Sequence, residues 1–206
     1  MKYYTRRWLL LAITVAVAVP IGIVLSQVGY DWMPRGGQQL LNAVLTDCAT
    51  CDELPTIAMM EKTQEEWMEY FSAQQSKRDD LPEEELTKGA FAGFADREVD
   101  TLVAYMAINL PIPEARVPEV ERVGTGALPI EGRQLALEQC TACHAIAATM
   151  TQEWTVERWI HLITDGTHGV LRLTDEQVRE LAHYITNNPV PMEEIPPPLR
   201  EPMPGY

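Results

Sequence analysis

The chain runs through one plan twice, and that self-similarity limits its fold more than any other feature of its 206 residues. The first copy opens with Gly37-Gln38-Gln39-Leu40, continues through Cys48-Ala49-Thr50-Cys51-Asp52 and Thr63-Gln64-Glu65-Glu66-Trp67, and closes on the segment from Ala95 to Met106. The second opens with Gly132-Arg133-Gln134-Leu135, continues through Cys140-Thr141-Ala142-Cys143-His144 and Thr151-Gln152-Glu153-Trp154, and closes on Thr174 to Ile185. Landmarks recurring in one order exceed what composition supplies. In the second closing segment Val178, Leu181, Ala182 and Ile185 fall at i, i+3, i+4 and i+7, behind Thr174 as N-cap and Asp175, Glu176 and Gln177 in the first turn. Val99, Leu102, Val103 and Met106 repeat that stripe in the first copy. Each copy is expected to end in an amphipathic helix with its apolar face inward, and the fold to be all-α.

The second copy carries the most specific short motif in the chain. Two cysteines two residues apart, followed at once by histidine, form the attachment signature of haem c. Both thiols, Cys140 and Cys143, add across the vinyl groups of the ring, and His144 ligates iron from the proximal face. Read alone, the same spacing also suits a zinc half-site or a redox dithiol.

Helix, CxxCH, helix, loop and terminal helix is the order of the class I cytochrome c fold, and residues 131–190 resemble that family. The resemblance implies a small helical domain around one covalently attached haem, its first and last helices crossing. It also implies a distal ligand from the loop before the terminal helix. In the family that ligand is usually methionine, but Asp165-Gly166-Thr167-His168-Gly169-Val170-Leu171-Arg172 contains none. His168 is therefore the expected distal ligand, which with His144 gives a bis-histidine iron of lower potential than a His/Met pair. His161, Met150 and Met192 are its rivals. Val156, Trp159, Ile160 and Ile163 define an apolar stripe from which His161 points away, and Trp154 and Trp159 are candidates to line the pocket.

The first copy keeps Cys48 and Cys51 but has Asp52 where histidine would follow, and no histidine occurs before residue 140. It is expected to be a degenerate cytochrome c-like domain, residues 31–110, without haem. A disulfide is the simplest state of its cysteines in an oxidising compartment; a redox dithiol, or a vestigial haem site completed by Met59 or Met60, stays open. Between the copies, residues 111–130 are rich in Pro and Gly and read as an extended linker with no helix of its own. The tail, residues 191–206, is Pro-rich and favours polyproline II.

Lys2, Arg6 and Arg7 precede an uncharged run from Trp8 to Leu25. Residues 1–30 are accordingly expected to hold a single transmembrane helix, with Tyr30 and Trp32 as interfacial anchors. That would place the N-terminus in the cytoplasm and the remainder on the periplasmic side of a bacterial inner membrane. A net charge of −14 argues against nucleic acid, whose phosphates require a basic face. It suits a basic soluble electron carrier, for which Asp79 to Glu85 is a possible guidance patch.

These features together predict a membrane-tethered mono-haem electron-transfer subunit, not itself an enzyme, working within or beside a larger redox complex. A structural or assembly subunit in which haem is secondary is the alternative, as is a haem sensor or peroxidase-type enzyme with an open iron position.

Overall fold

A computed structural model of the protein describes residues 29–143, 145–165, 168 and 171–200. Among the described residues the secondary structure is helical throughout, with one isolated antiparallel bridge between Cys48 and Ser76 and no strand. The first unit, up to Met33, is described only from Gly29, as a turn closed by Met33 N–H to the Tyr30 carbonyl and Trp32 Nε1–H to the Gly29 carbonyl. No helix among the described residues is long and apolar enough to cross a membrane. This corrects the single-pass anchor and the inner-membrane location expected from the sequence. The run from Trp8 to Leu25 lies outside the described residues, and Trp32 spends its indole N–H on a local turn.

From Pro34 onward the chain forms one compact unit. Its first copy contains α1 (Gly37–Asp47), α2 (Leu54–Ile57), α3 (Gln64–Ser72), α4 (Glu83–Leu86) and α5 (Asp96–Asn109). A connecting helix α6 (Val117–Val123) leads to the second copy: α7 (Gly132–Gln139), α8 (Ala147–Met150), α9 (Val156–Thr164) and α10 (Asp175–Asn187), with α11 (Pro197–Arg200) in the tail. In each copy the first helix and the nine-residue middle helix pack on the terminal one: α1 and α3 on α5, α7 and α9 on α10. The most extensive helix pairing of all is α5 with α10.

The second terminal helix starts where its sequence predicts, and both bury the predicted apolar stripe. Thr174 accepts from Gln177 N–H at 3.3 Å while the Gln177 side chain accepts from Thr174 N–H at 3.0 Å, a reciprocal box that satisfies two N-terminal donors. Val178, Leu181, Ala182 and Ile185 are buried, as are Leu102, Val103 and Met106, while Val99 is half-buried.

The two copies meet through a matched set of bonds. Tyr105 of α5 donates its hydroxyl to the Pro129 carbonyl at 2.8 Å, three residues before Gly132, and Tyr184 of α10 donates to Pro34, three residues before Gly37, at 2.8 Å. Asn109 and Asn188, each four residues later, donate back to the carbonyls of those tyrosines at 2.9 Å. Each asparagine also reaches across, Asn109 to Glu180 at 3.2 Å and Asn188 to Thr101 at 2.7 Å. Gly37 and Gly132 sit against the rings they serve, since a Cβ on Gly37 would meet Tyr105 Cδ1 at 2.7 Å and one on Gly132 would meet Tyr184 Cγ at 2.9 Å. Only glycine lets the helices approach so closely.

The remaining repeat landmark falls in a different register from the one the sequence suggested. Thr63 and Thr155, not Thr151, cap the two nine-residue helices, accepting from Glu66 and Arg158 N–H at 3.2 and 3.3 Å. The buried tryptophan four residues on is Trp67 in α3 and Trp159 in α9. Thr151 instead closes α8, with its hydroxyl on the Ala147 carbonyl.

Two further expectations are corrected. Residues 111–130 are not an extended linker: they contain α6 flanked by short 3-10 turns, and Ile112, Val120, Ala127 and Leu128 are buried in the core of the first copy. Pro118 stands in the first turn of α6, where a missing N–H costs nothing. The tail does not run as polyproline II through its described part. Residues 192–194 form a 3-10 turn and Pro197–Arg200 a helical turn, Ile195 is fully buried, and Val190 N–H bonds the Met150 carbonyl at 2.7 Å.

Candidate functional site

The second copy encloses a cavity of about 530 Å³, a size ordinary for small-molecule and cofactor sites. Helix α9 turns Trp159, Leu162 and Ile163 toward it and α10 contributes Leu181 and Ile185, so the apolar stripes of both helices form its walls. Trp154 lies against Trp159 with ring centroids 4.7 Å apart and closes another side, its outer face covered by the Arg158 guanidinium at 3.9 Å.

Polar chemistry enters this apolar wall at few points. Cys140 and Cys143 both line the cavity and both are free thiols. Cys140 lies in a 3-10 turn that continues α7, and burial pushes its thiol up to about 11, with Cys143 acting in the same direction and the buried Thr149 hydroxyl opposing by a hydrogen bond. Cys143 is exposed.

His168 also lines the cavity, and its Nδ1 is buried without a hydrogen-bond partner. His161 is exposed on α9, Met192 is 45 % exposed in the tail, and Met150 is fully buried; none of the three borders the cavity. His144, the expected proximal ligand, lies outside the described residues, as do Gly166, Thr167, Gly169 and Val170 beside His168.

The residues present fit a tethered haem. An apolar chamber could receive the ring, two free thiols stand at its wall, and the His168 imidazole borders it from the loop before α10. Among the described residues no group of three or more His, Cys, Asp or Glu could hold a metal ion. Haem iron needs only axial side chains, since the porphyrin supplies its other four bonds.

The matching place in the first copy is filled from within. Tyr70 and Phe71 of α3 stand where α9 has Leu162 and Ile163, and Phe71 packs against Trp67, Tyr70 and Phe91 with centroids 5.9, 5.0 and 5.5 Å apart. Phe91 arrives on the long segment between α3 and α5, which turns at Gly89, where φ is +65° and a Cβ would meet the Gln74 and Phe71 carbonyls within 2.8 Å. Cys48 and Cys51 are joined in a disulfide, so the disulfide reading holds over the free dithiol and the vestigial haem site. Asp52, at the position of histidine in the motif, accepts from the Tyr70 hydroxyl at 2.8 Å.

Sequence reasoning passed over two buried carboxylates, Glu131 and Glu180. They are 5 % and 2 % exposed, and nothing in a linear pattern distinguishes them from the solvated acids around them. Asp79 to Glu85, read as a possible guidance patch, includes Asp80 paired with Arg78 and Glu85 paired with Lys88, each at 2.9 Å. Compared with known proteins, the chain matches no family model, no curated relative and no solved structure.

Proposed function

We propose that residues 131–190 form a mono-haem c-type cytochrome domain and that the protein transfers electrons within or to a larger redox complex. In this reading Cys140 and Cys143 would tether the ring through thioethers, His144 and His168 would ligate its iron, and residues 31–110 are a cytochrome c-like domain without haem. The observation that carries it is one cavity bordered by both free thiols and by the His168 side chain. The haem would supply a one-electron couple. Two axial histidines leave it no open position, which favours electron transfer over a sensor or peroxidase.

A pyridine haemochrome assay against protein concentration, made with the wild type and Cys140→Ala/Cys143→Ala, is the test. One covalent haem per chain, lost in the double variant, is expected. No haem after expression with the haem c maturation machinery would refute the reading. His168→Ala should bind carbon monoxide in the reduced state where the wild type does not; carbon monoxide binding by the wild type would instead favour the sensor or enzyme.

A further inference from the structure

Glu180 sits on α10 beside Leu181, which lines the cavity, but its own side chain turns into the joint between the two copies. It is 2 % exposed, and its oxygens accept from Gly132 N–H at 2.8 Å and from the Asn109 amide at 3.2 Å, two neutral donors. The matched position of the first copy holds Thr101, so the carboxyl is no requirement of the helix crossing. Its ionisable surroundings are acidic or phenolic nearby: Glu131 from the segment before α7, Tyr105 from α5 and Tyr184 from α10 itself. Arg133 of α7 acts on Glu131 and Tyr184, and Arg116 and Arg97 act on the two tyrosines. On the α9 side, Glu157 faces His183. Burial pushes Glu180 up to about 8, aided by Glu131 and opposed by Gly132 and Asn109.

We propose that Glu180 is a redox-linked proton site, taking up a proton as the haem iron is reduced and releasing it on oxidation. This rests on the haem reading of the cavity. One electron passes from an external one-electron donor to ferric iron, and the Glu180 carboxylate takes one proton from solvent to become a neutral carboxyl. Reduction lowers the charge of the centre by one, and the lost attraction disfavours the nearby anion. At an effective dielectric near 20, loss of a unit positive charge about 10 Å away raises proton affinity about tenfold. The midpoint potential therefore falls as pH rises through the window between the oxidised-state and reduced-state values of Glu180, and levels off on either side.

The experiment is potentiometry of the holoprotein from pH 5 to 10, for the wild type, Glu180→Gln and Glu180→Thr, with haem content measured on each sample. Redox-difference infrared spectra of the same samples report the carboxyl C=O stretch directly. A falling potential in the wild type that flattens in both variants, with a carboxyl band that appears on reduction and is lost in them, is the expected result. A haem-loaded wild type with a flat potential, or variants with the same slope and band, would overturn Glu180 alone. A chain without haem would overturn the haem reading together with it. If neither variant folds, a flat wild-type potential with no carboxyl band still overturns the proposal.

Discussion

Replacing Gly132 with alanine should wreck the joint between the copies at a single methyl group. The new Cβ would lie 2.9 Å from both the Glu180 carbonyl and Tyr184 Cγ, and closer still to Tyr184 Cβ, whereas nonbonded carbon contacts are best at about 3.5–4.0 Å. Tyr184 Cβ is fixed to the α10 backbone, so no rotamer change relieves the clash and α7 must part from α10 by about 1 Å. Overpacking of that kind costs about 1–3 kcal/mol. Separation also stretches the 2.8 Å bond from Gly132 N–H to buried Glu180, worth about 0.5–1.5 kcal/mol while that carboxyl is neutral, below about pH 8. Together these reach about a third of the stability of an ordinary domain, about 5–15 kcal/mol. Urea denaturation followed by far-UV circular dichroism measures the loss. Gly126→Ala is the control: its Cβ would meet only Val123 Cγ1 at 3.8 Å, and its effect should stay within about 0.5 kcal/mol. If Gly132→Ala lay within about 1 kcal/mol of wild type, the close approach and the role of Glu180 in it would both be refuted.

Stability should fall as pH rises from about 5 to 8 and then level off. The folded-state value of Glu180, about 8, exceeds its unfolded value near 4.3, so the native state binds more protons between those limits and its contribution is lost as pH climbs through 8. Glu131 is shifted in the same upward direction by burial. Unfolding free energies from urea denaturation at pH 5 and pH 8.5 should differ by roughly a few kcal/mol, and Glu180→Gln should remove most of that difference; an increase with pH would contradict the burial of both acids. Denatured without reductant, the haem-free chain should titrate two thiols, and after reduction all four of its cysteines. Because the disulfide closes so short a loop, Cys48→Ser/Cys51→Ser should cost only about 2 kcal/mol in urea denaturation. Iodoacetamide at pH 8 should alkylate exposed Cys143 well before Cys140, whose thiol lies near 11; equal rates by mass spectrometry would contradict the buried placement of Cys140.

Periodicity made the terminal helices legible, because Val178, Leu181, Ala182 and Ile185 report a burial pattern the chain must honour in any helical fold. The cap at Thr174 was legible for the same local reason. The middle helices were misaligned because Thr151-Gln152-Glu153-Trp154 imitates Thr63 to Trp67 in composition, while the N-cap bond that defines the repeat belongs to Thr155. Residues 111–130 were misread because proline was taken as a breaker where Pro118 serves as a helix starter. His168 was singled out from its loop, yet only the tertiary fold sets it at the same cavity as Cys140 and Cys143. Glu180 could not have been found, since its burial depends on Asn109 and Gly132, each far from it in sequence.

The reciprocal bonds also give a physical reason for keeping a first copy that has no ring to hold. Tyr184, Asn188 and Glu180 of the second copy are 1 %, 0 % and 2 % exposed, and each bonds an atom of the first: the Pro34 carbonyl, the Thr101 hydroxyl and the Asn109 amide. Cutting the copies apart would bare the α10 face and strand those groups. The consequences should be unequal. Residues 34–130 retain Pro129 for Tyr105 and a core already filled by Trp67, Phe71 and Phe91, and should unfold cooperatively alone. Residues 131–200 lose three partners and enclose a large cavity within a chain short enough to be marginal even when well packed. Without haem they should show helical signal but no cooperative urea transition. A sharp transition in that fragment would mean the second copy is self-sufficient and the α5–α10 joint is a docking contact; its absence means that the second copy needs the first in order to fold.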